Sequence, residues 1–345
     1  MSENILEIKN LEVQYVVDKD VCRAVNGIDL TIGKGEVVGL VGETGAGKTT
    51  TALSILRLLP NYITKIPHGE VLFKGENLLD KTDAEMRQIR GKHISMIFQD
   101  PMTALNPVMT VGQQIADVIK WHDKSLTKQQ VDQQVCEIIE KVGIPAARRT
   151  EYPHQFSGGM KQRIVIATAI ACNPELLIAD EPTTALDVTI QAQVIKMMRE
   201  LQRELHSSVL MITHDLGVVA NFCDRVMIMY AGEIVESGTL EEVFDRSRKH
   251  HPYTVGLFGS IPDIQSKTDR LQPIPGLMPD PSDLPDGCKF HPRCPQCMEV
   301  CTHLCRVAET DKDGQEVIAE RSAPEWTDGS HRIRCHLYAK GVDEA

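Results

Sequence analysis

Residues 35–59 read GEVVGLVGETGAGKTTTALSILRLL. The run VVGLV is short, wholly apolar and followed by glycine, the pattern of a strand buried on both faces. The run TTTALSILRLL has helical spacing. Between them, Gly42 to Thr49 fits G-x-x-x-x-G-K-[ST], in the strand-to-helix context which that pattern requires. Glycines let the backbone wrap closely, so that its N–H groups face phosphate oxygens. The helix beginning near Lys48 adds its positive end. Lys48 is expected to reach the β- and γ-phosphates of a nucleoside triphosphate, and the Thr49 hydroxyl to ligate Mg²⁺. The binding residues expected here are Gly42, Glu43, Thr44, Gly45, Ala46, Gly47, Lys48, Thr49 and Thr50. A glycine-rich turn without a ligand is the plain alternative, and the complete pattern in this context disfavours it.

Outward from this stretch the chain alternates. ILEIKNLEVQYVV and AVNGIDLTI read as early strands, and GEVLFKG and HISMIFQ as later ones. Residues 111–172 look largely helical, with breaks at WHDKS and GIPAARRTEYPHQFSGG. ELLIADE, SVLMIT and RVMIMY read as buried strands separated by the helices TIQAQVIKMMRELQREL and DLGVVANFC. Such alternation implies an α/β protein with a mostly parallel sheet covered on both faces. LLIADEP puts Asp180 and Glu181 at the end of an apolar strand, where ligands gather in open α/β sheets. Asp180 is expected to hold Mg²⁺ and Glu181 to act as general base toward water. Taken alone, an acidic helix cap or salt bridge would explain the pair equally well; the phosphate loop upstream favours the functional reading. After about residue 250 prolines accumulate, periodicity fades and cysteines cluster, so a boundary is placed there: 1–250 and 251–345.

The chain has 345 residues, 42% of them hydrophobic, and a formal charge of −11. The acidic balance argues against nucleic acid as the main partner. No apolar stretch is long enough to span a membrane. MSENILEIKN lacks the basic start and apolar core of a signal peptide, so a cytoplasmic location is expected. Thiols there stay reduced, which disfavours a disulfide framework for the GCKFHPRCPQCMEVCTHLC cluster. Thiolates are soft ligands suited to zinc or iron–sulfur clusters. Cys22, Cys136, Cys172 and Cys223 lie singly in apolar surroundings and are expected to be buried small hydrophobes.

FSGGMKQR, residues 156–163, joins the two motifs above in a pattern that resembles the nucleotide-binding subunit of ATP-binding cassette transporters, across nearly the whole of residues 1–250. The resemblance implies a P-loop cassette with a RecA-like core, an N-terminal antiparallel β subdomain and a helical signature subdomain at about 100–172. It implies that Ser157, Gly158, Gly159 and Gln162 grip the γ-phosphate of ATP held by an opposing cassette; Met160 stands where many members have Gln. Gln99 resembles the glutamine that touches Mg²⁺ and the attacking water, and Asp187 a loop residue at the dimer interface. His214 resembles the switch histidine at the γ-phosphate, and Tyr15 the aromatic that stacks on adenine. HHPYTVGLFGSIP (250–262) and GCKFHPRCP narrow the resemblance to ATPases of dipeptide and oligopeptide importers, the first of their two ATPase subunits.

What this implies is ATP-driven peptide uptake, with a second and different ATPase subunit, two transmembrane permease subunits and an external substrate-binding protein. The chain would sit peripherally on the cytoplasmic face of the cell membrane. Import of a metal chelate or glycoside is the alternative, and a soluble cassette ATPase of DNA repair or translation a more distant one. In this family C-x5-C-x6-C with a distant C-H holds a [4Fe-4S] cluster, which implies Cys288, Cys294, Cys301 and Cys335 as ligands. Cys297 and Cys305 depart from that pattern. They leave a zinc set of Cys294, Cys297, Cys301 and Cys305, or free thiols, as alternatives.

Overall fold

A computed structural model describes residues 3–184, 186–260, 273–310 and 316–339. Ala185 and the final Ile261 and Pro262 of the HHPYTVGLFGSIP segment lie outside them.

Two sheets organise the chain. The first is antiparallel: Asn4–Val17 pairs with Asp20–Gly33 as a long hairpin, and its other edge takes Thr64–Lys65 and Glu70–Phe73. Register shifts interrupt the hairpin between Ile8 and Leu11. Asn10, at φ 44°, supplies the left-handed residue such an irregularity needs. Alternate side chains, among them Leu6, Ile8, Leu11, Val13, Ile28, Leu30 and Ile32, enter one core.

The second sheet has eight strands. Five are parallel, in the order Arg225–Tyr230, Val37–Val41, Ser208–Thr213, Leu176–Asp180, Ile94–Ile97. Every residue of Val37–Val41, Leu176–Asp180 and Ser208–Thr213 is buried, which is why these strands are continuous apolar runs instead of alternating ones. The helical region consists chiefly of Val111–His122, Lys128–Lys141 and Gly158–Ile170. Thr110 and Thr127 cap the first two through their hydroxyls, Thr127 in a reciprocal capping box with Gln130. Ile115 and Ile119 face Val131, Val135 and Ile139 inside the main core, the four-residue spacing of one helix face.

Beyond the boundary placed near residue 250, two C-terminal strands extend the second sheet. Glu233–Thr239 lies antiparallel to Arg225–Tyr230. His331–Arg334 then adds to it, with Ile333 opposite Glu236, and Glu325–Asp328 closes that edge. Phe290, 1% exposed, belongs to the main core, and Cys288 and Cys294 pack against it. A second hairpin, Cys305–Thr310 with Glu316–Arg321, stands apart from both sheets. Of the four isolated cysteines only Cys223 is buried; Cys22, Cys136 and Cys172 are half-buried. No helix among the described residues is long and apolar enough to cross a membrane.

Candidate functional site

The strand Val37–Val41 delivers the chain into the 42–47 loop, and the helix Lys48–Ile55 receives it. Two glycines are required here by space, and Gly47 by conformation as well. A Cβ on Gly42 would lie 2.2 Å from the Met229 carbonyl oxygen. One on Gly47, at φ 102°, would lie 2.4 Å from that of Ala24. Lys48 folds back over the loop, its Nζ donating to the carbonyls of Gly42 (2.7 Å) and Glu43 (2.9 Å). It is only 6% exposed. Burial lowers its pKa, against the raising charges of Glu181, Asp180 and Glu43. The Tyr15 hydroxyl lies 3.3 Å from the Thr50 hydroxyl, so the early strand flanks the same helix start.

Asp180 ends its strand 2% exposed, and its Oδ1 is buried with no hydrogen-bond partner. Burial pushes its pKa up, opposed by a hydrogen bond from Thr49 and by the charge of Lys48. A desolvated carboxylate oxygen without a proton donor, beside a threonine hydroxyl, is the donor set that suits a hard divalent cation. These residues therefore fit Mg²⁺.

Glu181 sits just beyond, in the left-handed region at φ 46°. Three side chains converge on it. Gln99 Nε2 and Thr184 Oγ1 each donate to Oε2 at 2.9 Å, and His214 Nδ1 lies 3.0 Å from Oε1. Burial alone would raise the Glu181 pKa, but the hydrogen bonds from His214 and Thr184 outweigh it and hold the carboxyl below its usual range. Glu181 is thus ionised at neutral pH and able to accept a proton.

The remaining sequence-derived residues stand elsewhere. Ser157 caps the helix Gly158–Ile170, its Oγ accepting from Met160 N at 3.4 Å. At this helix tip a Cβ on Gly158 would meet nothing within 4 Å, whereas one on Gly159 would lie 2.5 Å from Ile190 Cγ2. Asp187 caps Val188–Leu205 through Ile190 N. Among the described residues no hydrogen bond joins these tips to the phosphate loop. Gln162 is turned into the core, 1% exposed with neither amide atom partnered, and does not reach the helix surface.

In the C-terminal half, Cys301 and Cys335 are buried, Cys288 and Cys294 half-buried, and Cys297 exposed. Cys288 N donates to Cys301 O at 2.9 Å, closing the loop on itself. Burial, reinforced by neighbouring thiols, pushes Cys288 up to about 12 and Cys335 to about 11. As thiolates they would therefore need a cationic centre among them. Cys305 Sγ donates to Arg321 O at 3.4 Å. Sequence reasoning missed Thr184, Tyr253 and Arg293. Thr184 was visible as a polar residue three after Glu181; the other two act across distances of 210 and 250 residues, for which a single sequence carries no signal.

The sequence pattern of the ABC transporter family matches residues 25–184, and the phosphate loop, Asp180 and Glu181 all fall inside it. The chain is an ATP-binding cassette ATPase. Among solved structures, it superposes on a dimeric ATP-binding cassette in a post-hydrolysis state with ADP and Pi at TM-score 0.62 and 27% identity, covering 68% of this chain and 98% of that one. CbiO1 from Clostridium perfringens, part of the cbiONQ transporter complex, matches at TM-score 0.62 and 28% identity, covering 71% and 92%. The pattern of the oligopeptide/dipeptide transporter C-terminal region matches residues 235–301. The dipeptide transport ATP-binding protein DppD of Bacillus subtilis (strain 168) is 50% identical over 99% of this chain and 97% of its own. The oligopeptide transport ATP-binding protein AppD of the same organism is 47% identical over 91% and 95%. The chain belongs to this family of peptide-transport ATP-binding proteins.

Proposed function

We propose that the chain hydrolyses ATP to power uptake of di- and oligopeptides, as one of two ATPase subunits beneath two transmembrane permease subunits fed by an external binding protein. It would work from the cytoplasmic face of the cell membrane, without crossing it. The observation that carries the catalytic part is the convergence of Gln99, Thr184 and His214 on an ionised Glu181 beside the phosphate loop. The peptide part rests on the near end-to-end similarity to DppD.

In this reading the loop amides 43–50 and Lys48 hold the triphosphate, and Tyr15 flanks the adenine. Thr49, Asp180 and Gln99 would hold Mg²⁺, which supplies charge neutralisation at the β- and γ-phosphates. Glu181 accepts the proton of the attacking water as its oxygen bonds to the γ-phosphorus and the bond to the bridging oxygen breaks, releasing ADP. His214 orients Glu181 and meets the γ-phosphate. Ser157, Gly158 and Gly159, with Asp187 nearby, serve the ATP of a second, different cassette. Gln162 would support that tip from inside the helix.

The chain divides in function at about residue 250, with the helical region 100–172 facing the permease and 251–345 forming a cysteine-bearing domain. Cys288, Cys294, Cys301 and Cys335 are assigned a [4Fe-4S] cluster. Two of these thiols are buried and two half-buried, and they are the soft donors that such a cluster takes. Iron and acid-labile sulfide in stoichiometric amounts, with zinc at background, is the expected analysis.

The functional test is uptake of a labelled dipeptide by vesicles carrying the complete transporter, with and without Glu181→Gln in this chain. ATP-dependent uptake that the substitution abolishes is expected. Transport of a metal chelate or a glycoside instead would refute the peptide assignment. Undiminished uptake by the variant would refute Glu181 as base.

A further inference from the structure

Glu43 is the only carboxylate in the phosphate loop Gly42–Thr49. A negative side chain on a loop that must receive a polyanion is an electrostatic liability. The structure shows what offsets it. Arg293, from the cysteine-rich segment, forks onto this carboxylate, with one terminal nitrogen 3.0 Å from Oε2 and the other 3.3 Å from Oε1. The Arg293 side chain is 6% exposed, so the pair is shielded from water and salt on the arginine side. Its fork is fixed at two further points: Nε donates to Pro275 O at 2.8 Å, and a terminal nitrogen to the Tyr230 hydroxyl at 3.3 Å.

The same residue is held through its backbone. Glu43 N donates to the Tyr253 hydroxyl at 2.9 Å, and Glu43 O accepts from Lys48 Nζ at 2.9 Å. Tyr253, Tyr230 and Phe290 pack as a buried aromatic trio with centroids 4.6, 5.1 and 5.4 Å apart, giving these hydroxyls a rigid base. A second tie runs beneath the loop: Arg23 N donates to Pro281 O at 2.8 Å, beside the Ala24 carbonyl against which Gly47 packs. Two of these contacts, from Arg293 and Tyr253, reach out of the C-terminal half to one residue of the nucleotide loop. A role confined to packing would not require a bidentate guanidinium aimed at that single acid.

We propose that Arg293 is a positioning residue of the nucleotide site, which screens the Glu43 carboxylate from bound triphosphate and makes the conformation of the phosphate loop depend on the cysteine-rich segment. The proposal rests on the ATP-binding reading above. Arg293 immediately precedes Cys294, so whatever gathers the four thiols also sets the position of the fork.

The test is a double-substitution cycle in the full-length chain, with ATP affinity measured calorimetrically in the presence of Mg²⁺ and turnover measured in the assembled transporter. Arg293→Met is expected to weaken ATP binding about tenfold, a coupling of the size that contacting charged groups show. Turnover at saturating ATP should fall much less. In a Glu43→Gln background the same substitution should change affinity less than about twofold, because no carboxylate remains to be screened. Arg293→Lys, which keeps the charge and loses the fork, should fall between. An equal loss in both backgrounds, which misfolding or general loosening would produce, overturns the proposal, as does no loss in either. If the unsubstituted chain binds no ATP, the reading beneath the proposal fails first, and the two failures are told apart.

Discussion

Replacing His250 with alanine should loosen the joint between the two halves of the chain, and by an amount that depends on pH. Glu236 is fully buried on the strand Glu233–Thr239, and His250 is 5% exposed. One Glu236 oxygen lies 2.7 Å from His250 Nδ1 and 2.9 Å from His331 Nε2; the other accepts from His251 N at 2.8 Å. His250 Nε2 lies 2.8 Å from the Asp245 carbonyl, which can only accept, so that nitrogen carries hydrogen. Nδ1 faces a carboxylate and must carry one too, which makes the ring an imidazolium. Burial alone would lower the His250 pKa, but the Glu236 and Asp245 contacts raise it above its ordinary 6.5. Burial alone would raise that of Glu236, but the hydrogen bonds from His250 and His331 bring it down to about 2. A fall from 4.5 to about 2 corresponds to about 3 kcal/mol. Breaking a buried ion pair by removing one partner costs about 3–5 kcal/mol, in agreement. The signs differ for the two groups. The Glu236 contribution is complete above 4.5 and is lost as pH falls toward 2. The His250 contribution is complete below 6.5 and is lost as pH rises through its raised folded value. Wild type should therefore exceed His250→Ala in stability most clearly near about pH 6, and by less at about pH 9. Thermal unfolding, with hydrogen exchange read at Pro252–Gly259 and His331–Arg334, measures both. Equal melting of the two proteins at the lower pH, or a gap that pH leaves unchanged, would refute the imidazolium–carboxylate pair.

Glu181→Gln keeps the shape and two of the contacts but removes the base; ATP turnover of the assembled transporter should fall about 10²–10⁴-fold while ATP binding persists, measured side by side on one preparation. Gly47→Ala forces a Cβ to 2.4 Å from the Ala24 carbonyl in a left-handed conformation. Calorimetry should show it losing ATP affinity, with about 1–3 kcal/mol of strain if the loop keeps its form. Cys335→Ser should lower bound iron and weaken protease resistance of residues 273–339, whereas Cys305→Ser should do neither; iron loss from the second and not the first would reverse the ligand assignment.

Much of the fold was legible because burial is periodic or continuous in the residues themselves. VVGLV, LLIAD and SVLMIT are apolar throughout since both faces of those strands are covered. The phosphate loop was legible because its glycines answer to local sterics, which a short pattern captures. The C-terminal joint was not. HRIR is too short for a pattern, and Glu236 in EIVESGT looks like an ordinary exposed acid until two histidines from 14 and 95 residues away are seen to meet its carboxyl. Glu43 occupies a variable place in its motif, so nothing local marks it as the residue that Arg293 holds. At Gln162 a motif position suggests a role at the nucleotide, and helix phase turns the side chain inward in this chain.

Because the C-terminal hairpin lies along Glu233–Thr239, that strand has neighbours on both sides and the sheet ends instead in the short Glu325–Asp328. A version trimmed at residue 250 would bare a row of unsatisfied main-chain amides and carbonyls and strand the acid at 236 without its histidine at 331. Such a rim invites foreign chains to add themselves. By covering that rim, the tail leaves only the short Glu325–Asp328 strand as an edge on this side of the sheet.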